Sequence, residues 1–387
     1  MDLKDSTERA GGGQLGGLDW GELGSTKMFL TTNPGLESVV EKEWAGLLGR
    51  EGIELARSIK KPFAYGGQVL VESEGECALL ERIALRMRSV HYVQVLLYGF
   101  ELPLDNELES IERELGSLVV EPLREAQCFR VTTKRSGRHA FSSMDVQRVA
   151  GAVLGRNYGC AVDLKDCDVN VRVDVYDRFC LVGLQLNDRA LSNRHRWKYS
   201  PRAALKAPVA YALLQWARLE ADASSALLDP FCGSGTILIE AGQLWPQLEL
   251  CGCDIDERAV NGARVNAAAA GLGDRLQLLR ADARRLDEVY AAGSFRTIVT
   301  NPPYGVRFGK HLNFSRFYQR LLHQCWTVLA AGGIMVVVVW KRGLFSRALS
   351  QSGCFKMLEK RVVETGDLYP AIYVLEKIEI GDQSTIQ

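Results

Sequence analysis

The stretch "LLDPFCGSGTILIEAG" (Leu227–Gly242) has the pattern of a buried strand, a glycine-rich turn and a helix. Gly233 and Gly235 allow the backbone to approach a ligand closely, and Thr236 is placed to begin the helix, whose amino end favours negative charge. The turn is neither a Walker loop, because no GK[ST] follows, nor a GxGxxG motif. By itself the stretch fits a ligand site and an ordinary tight turn equally well.

Strands alternate with helices of a dozen or more residues from about residue 200 onward, which is typical of a doubly wound, Rossmann-like α/β sheet. The predicted strands are "SALLD", "LELCGCD", "LQLLRAD", "FRTIVT" and "GIMVVVVW". A closing pair, "CFKMLEKRVVE" and "DLYPAIYVLEKIE", is predicted to be antiparallel. Open α/β sheets bind ligands at the carboxyl ends of their strands, so we expect the functional site there.

Acidic residues follow three successive strands of this predicted sheet. Asp229 ends the first strand, Asp254 ends the second 25 residues later, and Asp282 follows the third. An acid at the tip of the second strand binds the vicinal hydroxyls of a ribose, and Asp282 is placed to accept from an exocyclic amine. The alternative role for Asp254, a helix N-cap, can be filled by Asp256, which leaves Asp254 for a ligand.

The fourth strand ends in "TNPPYG", where a β-branched run stops at Asn301 because proline cannot extend a sheet ladder. The rigid turn is predicted to aim the Asn301 side-chain oxygen and a backbone carbonyl into the cleft, and two neighbouring acceptors suit an –NH₂ group. Tyr304 offers a flat face for stacking. We therefore predict Asn301, Pro302, Pro303 and Tyr304 as the catalytic residues, which act by positioning an amine.

Residues from about 200 to 380 resemble a class I methyltransferase that uses S-adenosyl-L-methionine. The segments "DPFCGSGTILIEA", "GCDIDERAV", "ADARRL" and "TNPPYG" are similar to motifs of the bacterial and archaeal guanine-N2 RNA methyltransferases that carry a THUMP domain. Upstream, "TTNPGLESVVEKEW" resembles the start of their ferredoxin-like domain, and "FRVTTKRSGRHAFSSMDVQRVAGAVLG" resembles the centre of THUMP. The resemblance covers about nine-tenths of the chain, all but the glycine-rich start.

The resemblance implies S-adenosyl-L-methionine as the cofactor, and it assigns target-base binding to the four residues of the Asn-Pro-Pro-Tyr turn. It also implies the cofactor-binding residues, which are Asp229, Pro230, Phe231, Cys232, Gly233, Gly235, Thr236, Asp254, Ile255, Asp282, Ala283 and Asn301.

The implied substrate is RNA. Transfer RNA methylated at guanosine 6 of the acceptor stem is preferred, and large-subunit ribosomal RNA is the alternative. A protein-glutamine or DNA-adenine methyltransferase is a rival, since the turn serves any planar amino group, but such enzymes lack the two N-terminal units. An RNA-binding protein with an inactive transferase half is disfavoured, because the glycine turn and the Asn-Pro-Pro-Tyr turn are both intact.

The pattern of the chain predicts five segments. Residues 1–25 contain seven glycines and are expected to form a flexible tail. Residues 26–100 have the order βαββαβ of a ferredoxin-like α+β domain, and residues 101–187 form a THUMP domain. Residues 188–202 are a basic linker, and residues 203–380 are the transferase domain.

Basic residues cluster at three places that we predict to contact RNA. "KRSGRH" contributes Lys134, Arg135 and Arg138, and the linker "RALSNRHRWKYSPRAALK" contributes Arg194, Arg196, Lys198 and Arg202. Lys341 and Arg342 follow the fifth strand of the transferase. A solvated linker and a solubilising strand end are the alternatives, because blocks of like charge are often simply exposed.

Composition sets further limits. The formal net charge is zero, so any attraction to nucleic acid depends on local clusters. The ten cysteines include no CxxC pair, which favours reduced thiols over disulfides or a metal site. We expect no metal, no membrane span, a cytoplasmic location and no obligatory protein partner.

Overall fold

The computed structural model describes residues 25–201, 204–219, 226–305, 309, 312–366 and 368–378. Residues 1–24 of the predicted tail and Arg202 of the linker therefore lie outside the described residues. The described chain forms two compact units, one made of residues 25–30, 45–85 and 92–188, and another made of residues 31–44, 86–91 and 189–378.

The first unit is built on a single sheet. Its strands are β1 (Ser25–Thr31), β2 (Leu55–Lys60), β3 (Gln68–Glu74), β4 (Tyr92–Glu101), β5 (Cys128–Thr132), β6 (Arg135–Ser136), β7 (Ala161–Val162), β8 (Val169–Tyr176) and β9 (Phe179–Gln185). The helices of this part of the chain are α1 (Glu37–Arg50), α2 (Cys77–Ala84), α3 (Glu107–Ser117) and α4 (Ser143–Tyr158). The strand order is β2-β3-β1-β4-β9-β8-β5-β7, and β6 pairs with β8.

The predicted order βαββαβ is confirmed for β1 to β4, but this part of the chain is not isolated from the next. Strand β4 pairs antiparallel with β9, from Gln94 opposite Gln185 to Glu101 opposite Phe179. The strands predicted for residues 26–100 and for residues 101–187 thus share one sheet. In a separate ferredoxin-like domain β4 would be an edge strand with unpaired backbone groups, and β9 satisfies them.

Local sequence signals set several element ends in the first unit. Ser142 caps α4 through a capping box with Asp145, and the β8–β9 hairpin turns at Asp177, which has a φ of +50°. Helix α1 ends at Arg50, and Gly52, just beyond it, adopts the left-handed conformation, at a φ of +72°.

The second unit contains the doubly wound sheet. Its elements after the linker are α5 (Ala207–Trp216), β10 (Ala226–Asp229), α6 (Thr236–Leu244), β11 (Glu249–Asp254), α7 (Glu257–Ala269), β12 (Leu276–Arg280), β13 (Phe295–Thr300), α8 (Phe314–Val328), β14 (Leu329–Val339), α9 (Arg342–Ser352), β15 (Phe355–Val362) and β16 (Ala371–Lys377). The strand order is β12-β11-β10-β13-β14-β16-β15. The first five strands are parallel, and β16 is antiparallel to both of its neighbours, as predicted.

Apolar side chains cover both faces of this sheet. One cluster, here called the α6-side core, combines α5, α6 and α7 with Val39 of α1 and with Leu36, which precedes that helix. The other cluster combines α8 and α9 with the opposite face of the strands. None of the helices in the described ranges is both long enough and apolar enough to cross a bilayer.

Within the second unit, a buried carboxylate of α6 holds the linker and residues 86–91 in place. Glu240 of α6 is fully buried, and its Oε2 atom accepts from Arg88 Nη1 at 2.8 Å. Its Oε1 atom accepts from Arg194 Nε at 2.8 Å and contacts His195 Nε2 at 2.5 Å. Burial by itself would raise the pKa of Glu240, but the bonds from His195 and Arg194 and the charge of Arg88 lower it to about 2.

Replacing Glu240 with alanine leaves two largely buried guanidinium groups without their partner, so we expect the free energy of unfolding to fall by ~3–5 kcal/mol. Because the folded-state pKa of about 2 lies below that of an unfolded glutamate, the stabilisation is complete above the unfolded value and is lost as the pH falls through the folded one. Denaturant titration at neutral and acid pH measures both effects.

Glu257→Ala is the matched control for this prediction. Glu257 pairs with Arg280 at 3.6 Å, and both side chains are 64% exposed, so its loss costs ~0–1 kcal/mol. Equal destabilisation by the two substitutions would contradict an anchoring role for Glu240.

Candidate active site

Four neighbouring strands bring the predicted site residues to one edge of the sheet. The parallel order β12-β11-β10-β13 places Asp282, Asp254, Asp229 and Asn301 at or just beyond the carboxyl ends of adjacent strands. This is the edge at which open α/β sheets bind ligands. The structure therefore brings together the acids and the amide that the sequence singled out.

The glycine turn connects β10 to α6. Gly233 and Gly235 have φ values of +53° and +84°, which favour glycine. A Cβ atom on Gly235 would lie 3.3 Å from that of Ala263, so this glycine also allows the turn to pack on α7. At Gly233 an added Cβ atom would meet nothing closer than the Phe231 carbonyl oxygen at 3.9 Å, which leaves open space beside the turn.

The other residues of the turn are fixed by local packing. Cys232 is buried, and its N–H donates to the Cys253 carbonyl at 2.9 Å, which ties the turn to β11. The Pro230 carbonyl accepts from the Cys253 thiol at 3.7 Å. Phe231 is partly buried and meets Phe317 edge-to-face, with 5.9 Å between the ring centroids. No side chain caps the amino end of α6, which begins at Thr236.

Asp229 is a buried acid whose pKa lies near neutral pH. It is 1% exposed, and its Oδ1 atom accepts from Thr300 Oγ1 at 2.7 Å and from the Phe231 N–H at 3.1 Å. Burial raises the pKa of Asp229 to about 7, although the bond from Thr300 opposes the shift. A positive charge bound beside this carboxyl would therefore favour its ionised form.

Asp254 joins the glycine turn to the start of α7. Its two oxygens accept from the Gly233 N–H at 3.1 Å and from the Asp256 N–H at 2.9 Å, and burial raises the pKa of this carboxyl. Asp256 caps α7 by accepting from the Arg258 N–H, as predicted. The expectation that Asp254 is free is thus corrected, but each oxygen keeps a second lone pair for a ligand hydroxyl.

Asp282 forms hydrogen bonds with Arg284, a residue that the sequence analysis did not single out. The Arg284 side chain binds both of its oxygens, at 2.6 to 3.0 Å, and the Arg284 N–H adds a further bond at 2.9 Å. The bonds from Arg284 lower the pKa of Asp282. Nearby Ala283 is buried, whereas Ile255, beyond the end of β11, leaves 58% of its surface exposed at the edge of the site.

The Asn-Pro-Pro-Tyr turn follows Thr300 at the end of β13. The hydroxyl of Tyr304 donates to Oδ1 of Asn301 at 2.7 Å, and its ring packs against the α6-side core. Burial raises the pKa of the Tyr304 hydroxyl. The ring predicted to stack on a base is thus partly buried, and its hydroxyl bonds to the acceptor predicted for the amine.

The end of this turn is held by an aromatic contact. Gly305 has a φ of +77°, and a Cβ atom there would lie 2.6 Å from Phe314 Cε2. The ammonium group of Lys341 lies 4.4 Å from the centre of the same Phe314 ring. Lys341, one of the predicted RNA contacts, is therefore close to the turn that carries Asn301.

The predicted RNA contacts divide into exposed and engaged residues. Lys134, Arg138, Arg196, Lys198 and Lys341 are exposed. The remaining described residues of this set bind the protein itself: Arg135 contacts His139, Arg194 pairs with Glu240, and Arg342 donates to the Tyr369 carbonyl.

Asn266 of α7 is a further site residue that the sequence analysis missed. It is 2% exposed, and its Oδ1 atom accepts from the N–H groups of Lys198 and Tyr199, each at 2.9 Å. Its Nδ2 atom donates to the carbonyls of Tyr199 at 2.7 Å and Ser234 at 3.0 Å. A single amide therefore joins the linker to the glycine turn. The available signal was an asparagine inside a helix, where it is a poor helix former.

The ring of Tyr199 packs where α7 has a glycine. A Cβ atom on Gly262 would lie 2.2 Å from Tyr199 Cδ1, so a larger residue there would displace the ring.

Within the part of the chain that the structure describes, no three His, Cys, Asp or Glu side chains are grouped to hold a metal ion.

Two family models match the chain. Residues 194–371 match the methyltransferase domain described as RMKL-like, and residues 105–185 match the THUMP domain. A tRNA (guanine(6)-N2)-methyltransferase of Thermus thermophilus is 35% identical over 354 residues, which covers 90% of this chain and 98% of that protein.

Solved structures agree with these matches. TrmN from Thermus thermophilus superposes with a TM-score of 0.77 at 34% identity and covers 91% of this chain and 100% of that chain. SMU.472 in complex with SAH has a TM-score of 0.72 at 19% identity, covering 93% and 100% of the respective chains, and shows a shared fold.

Because the pKa of Asp229 is about 7, we expect the affinity for a cationic cofactor to depend on pH. The ionised fraction of Asp229 rises about tenfold between about pH 6 and about pH 8, so binding of S-adenosyl-L-methionine should tighten by up to about tenfold over this range. Titration calorimetry across pH measures the effect. Asp229→Asn keeps the Oδ1 acceptor and removes the charge, and parallel pH profiles for the two proteins would contradict the prediction.

Proposed function

This chain belongs to the THUMP-domain guanine-N2 RNA methyltransferase family, and we propose that it methylates the exocyclic N2 amine of guanosine 6 in the tRNA acceptor stem. The observation that carries the proposal is the meeting of the glycine turn, Asp254 and the Asn-Pro-Pro-Tyr turn at one sheet edge. The name of the Thermus relative supports guanosine 6 as the target.

We propose S-adenosyl-L-methionine as the methyl donor, and the residues at the sheet edge fit it. The spare lone pairs of Asp254 suit ribose hydroxyls, and the exposed apolar surface of Ile255 suits the adenine ring. The buried carboxyl of Asp229 suits a cationic ligand. The open space at Gly233 allows backbone contact. When bound, the cofactor supplies an electrophilic methyl group.

The protein's part in the reaction is to orient the amine. Asn301 Oδ1 is a strong acceptor that follows directly on a buried strand, and it holds one N–H of the guanine amine. With the amine held in this way, its nitrogen would take the methyl group as the donor's S–C bond breaks to leave a neutral thioether, and it would release a proton to solvent. Orientation of reacting groups can account for a large share of a rate enhancement, so no general base is required before attack.

RNA binding is assigned to the exposed basic residues. The proposal is that Lys134 and Arg138 of the THUMP domain hold the single-stranded 3′ end of tRNA, and that Arg196, Lys198 and Lys341 contact phosphates near the target; their exposure supports it. A paired guanine must leave its stack to be methylated, at a cost of a few kcal/mol that stacking and the Asn301 bond offset in part. All ten cysteines are free thiols, which supports a cytoplasmic location.

Asn301→Ala removes the acceptor and is expected to lower kcat by about 100-fold or more, because misplacing a reacting group is costly. The affinity for S-adenosyl-L-methionine should change little. Single-turnover assays on saturating tRNA measure the chemical step directly. Asn261→Ala is the matched control, since Asn261 is exposed on α7 and bonds to Arg264. Turnover of Asn301→Ala near that of the control would remove Asn301 from the mechanism.

The substrate is tested by transfer of a labelled methyl group to tRNA transcripts. We expect labelling of a transcript with G at position 6, none of a matched transcript with A, and reduced labelling when the terminal CCA is removed.

Equal labelling of the G and A transcripts would refute the assignment to guanosine 6. Indifference to CCA would refute a role for the 3′ end. Labelling of naked large-subunit ribosomal RNA without tRNA would establish the alternative substrate.

A further inference from the structure

We propose that the ring of Tyr369 stacks on a base next to the methylated guanosine, which makes Tyr369 a further RNA-binding residue of this site. The inference rests on the proposed function, because it takes as the ligand an RNA whose guanine is held at Asn301. It concerns the bases that flank the target, for which the site residues described so far provide no contact.

Tyr369 is an exposed aromatic residue. It lies in the short connection between β15 and β16, and 50% of its surface is exposed. Every other Phe, Tyr or Trp that the structure describes is buried or partly buried. Aromatic rings supply much of the binding energy of interfaces, so the place of this ring in the fold decides whether it has a role.

The register of the sheet places Tyr369 at the edge that holds the candidate site. Strand β16 is antiparallel to β14, and the pair at the carboxyl end of β14 is Val339 with Ala371. Tyr369 precedes Ala371 by two residues and Lys341 follows Val339 by two, so both extend beyond the same end of the sheet. The Arg342 guanidinium donates to the Tyr369 carbonyl, which holds the connection beside α9.

Three side chains follow one another across this edge in the order of their strands. Asn301 comes after β13, Lys341 after β14 and Tyr369 before β16. Lys341 is exposed, and its ammonium group lies 4.4 Å from the centre of the Phe314 ring, which packs on Gly305 of the catalytic turn. An acceptor, a cation and an aromatic ring in this order match a base, a phosphate and the next base of an RNA strand.

The spacing of the strands assigns the Tyr369 ring to a neighbour of the target. Neighbouring strands lie about 4.8 Å apart, so β16 is about 10 Å from the strand that carries Asn301. A guanine that leaves its stack to be methylated deprives the base beside it of a stacking partner. An exposed ring can take that place with any base, because every base has a π face. The contact therefore stabilises the opened RNA without selecting the flanking sequence.

The experiment measures equilibrium binding of a tRNA transcript with G at position 6, in the presence of S-adenosylhomocysteine. We expect Tyr369→Ala to weaken binding about tenfold, because it removes a stacked ring, and Tyr369→Phe, which keeps the ring, to bind like wild-type protein. Met357→Ala is the matched control. Met357 is 52% exposed, but it pairs with Leu375, four residues along β16 from the pair at the site edge. Its replacement should leave the affinity unchanged.

Transcripts that lack one base identify the base that is contacted. Wild-type protein and Tyr369→Ala are compared on RNA with an abasic site on the 5′ side of guanosine 6, on its 3′ side, or at guanosine 6 itself. The loss caused by Tyr369→Ala should vanish when one of the two flanking bases is absent. It should persist when only the target base is absent.

Equal affinity of Tyr369→Ala and wild-type protein for the intact transcript would overturn the inference. A loss of the same size in Tyr369→Phe or Met357→Ala, or one that vanishes only when the target base is absent, would also overturn it. Failure of the proposed function has a different signature. A wild-type protein that binds with this dependence on Tyr369, yet transfers no methyl group, would refute the function and leave the stacking contact standing. Absence of binding by the wild-type protein would refute both.

Discussion

The hydrogen bond from Thr300 to the buried carboxyl of Asp229 joins the ends of the two central strands, and the candidate site is organised around it. Strands β10 and β13 are parallel neighbours, so their carboxyl ends meet at one edge. The same oxygen of Asp229 also receives the Phe231 N–H, which sets the first bend of the glycine turn. Since Asn301 follows Thr300 directly, one buried carboxyl aligns both the glycine turn and the Asn-Pro-Pro-Tyr turn.

A buried acid is expensive unless polar neighbours satisfy it, and Asp229 shows how a site uses that cost. Its bond from Thr300 holds the strand ends together, yet burial keeps its pKa near 7. Glu240 shows the opposite outcome, because three basic side chains keep it fully ionised. The two acids differ in their neighbours: Asp229 bonds to a hydroxyl and a backbone N–H, whereas Glu240 bonds to two guanidinium groups and to His195.

The chemistry that we propose requires little from the protein except position. Asn301 and Tyr304 supply an acceptor and a ring, and neither has to gain or lose a proton during methyl transfer. Their mutual bond shows how the parts of such a site remain satisfied when no base is present. A partly buried acceptor without a partner would be destabilising, so a donor on the same stiff turn is a simple solution.

The sequence alone determined the second sheet, its five parallel strands and closing antiparallel pair, and the edge where the acids and Asn301 lie, because periodicity and turn residues are local signals. Tertiary structure decided which charges are available: Arg194 and Arg196 are two residues apart, yet Arg194 is bound to Glu240 and Arg196 is exposed. It also decided that β4 pairs with β9, that Asn266 joins the linker to the glycine turn, and that Tyr304 bonds to Asn301. Except for the short-range bond between Tyr304 and Asn301, these contacts join residues far apart in the chain, and the partner of a side chain is set by packing, which local sequence pattern does not encode.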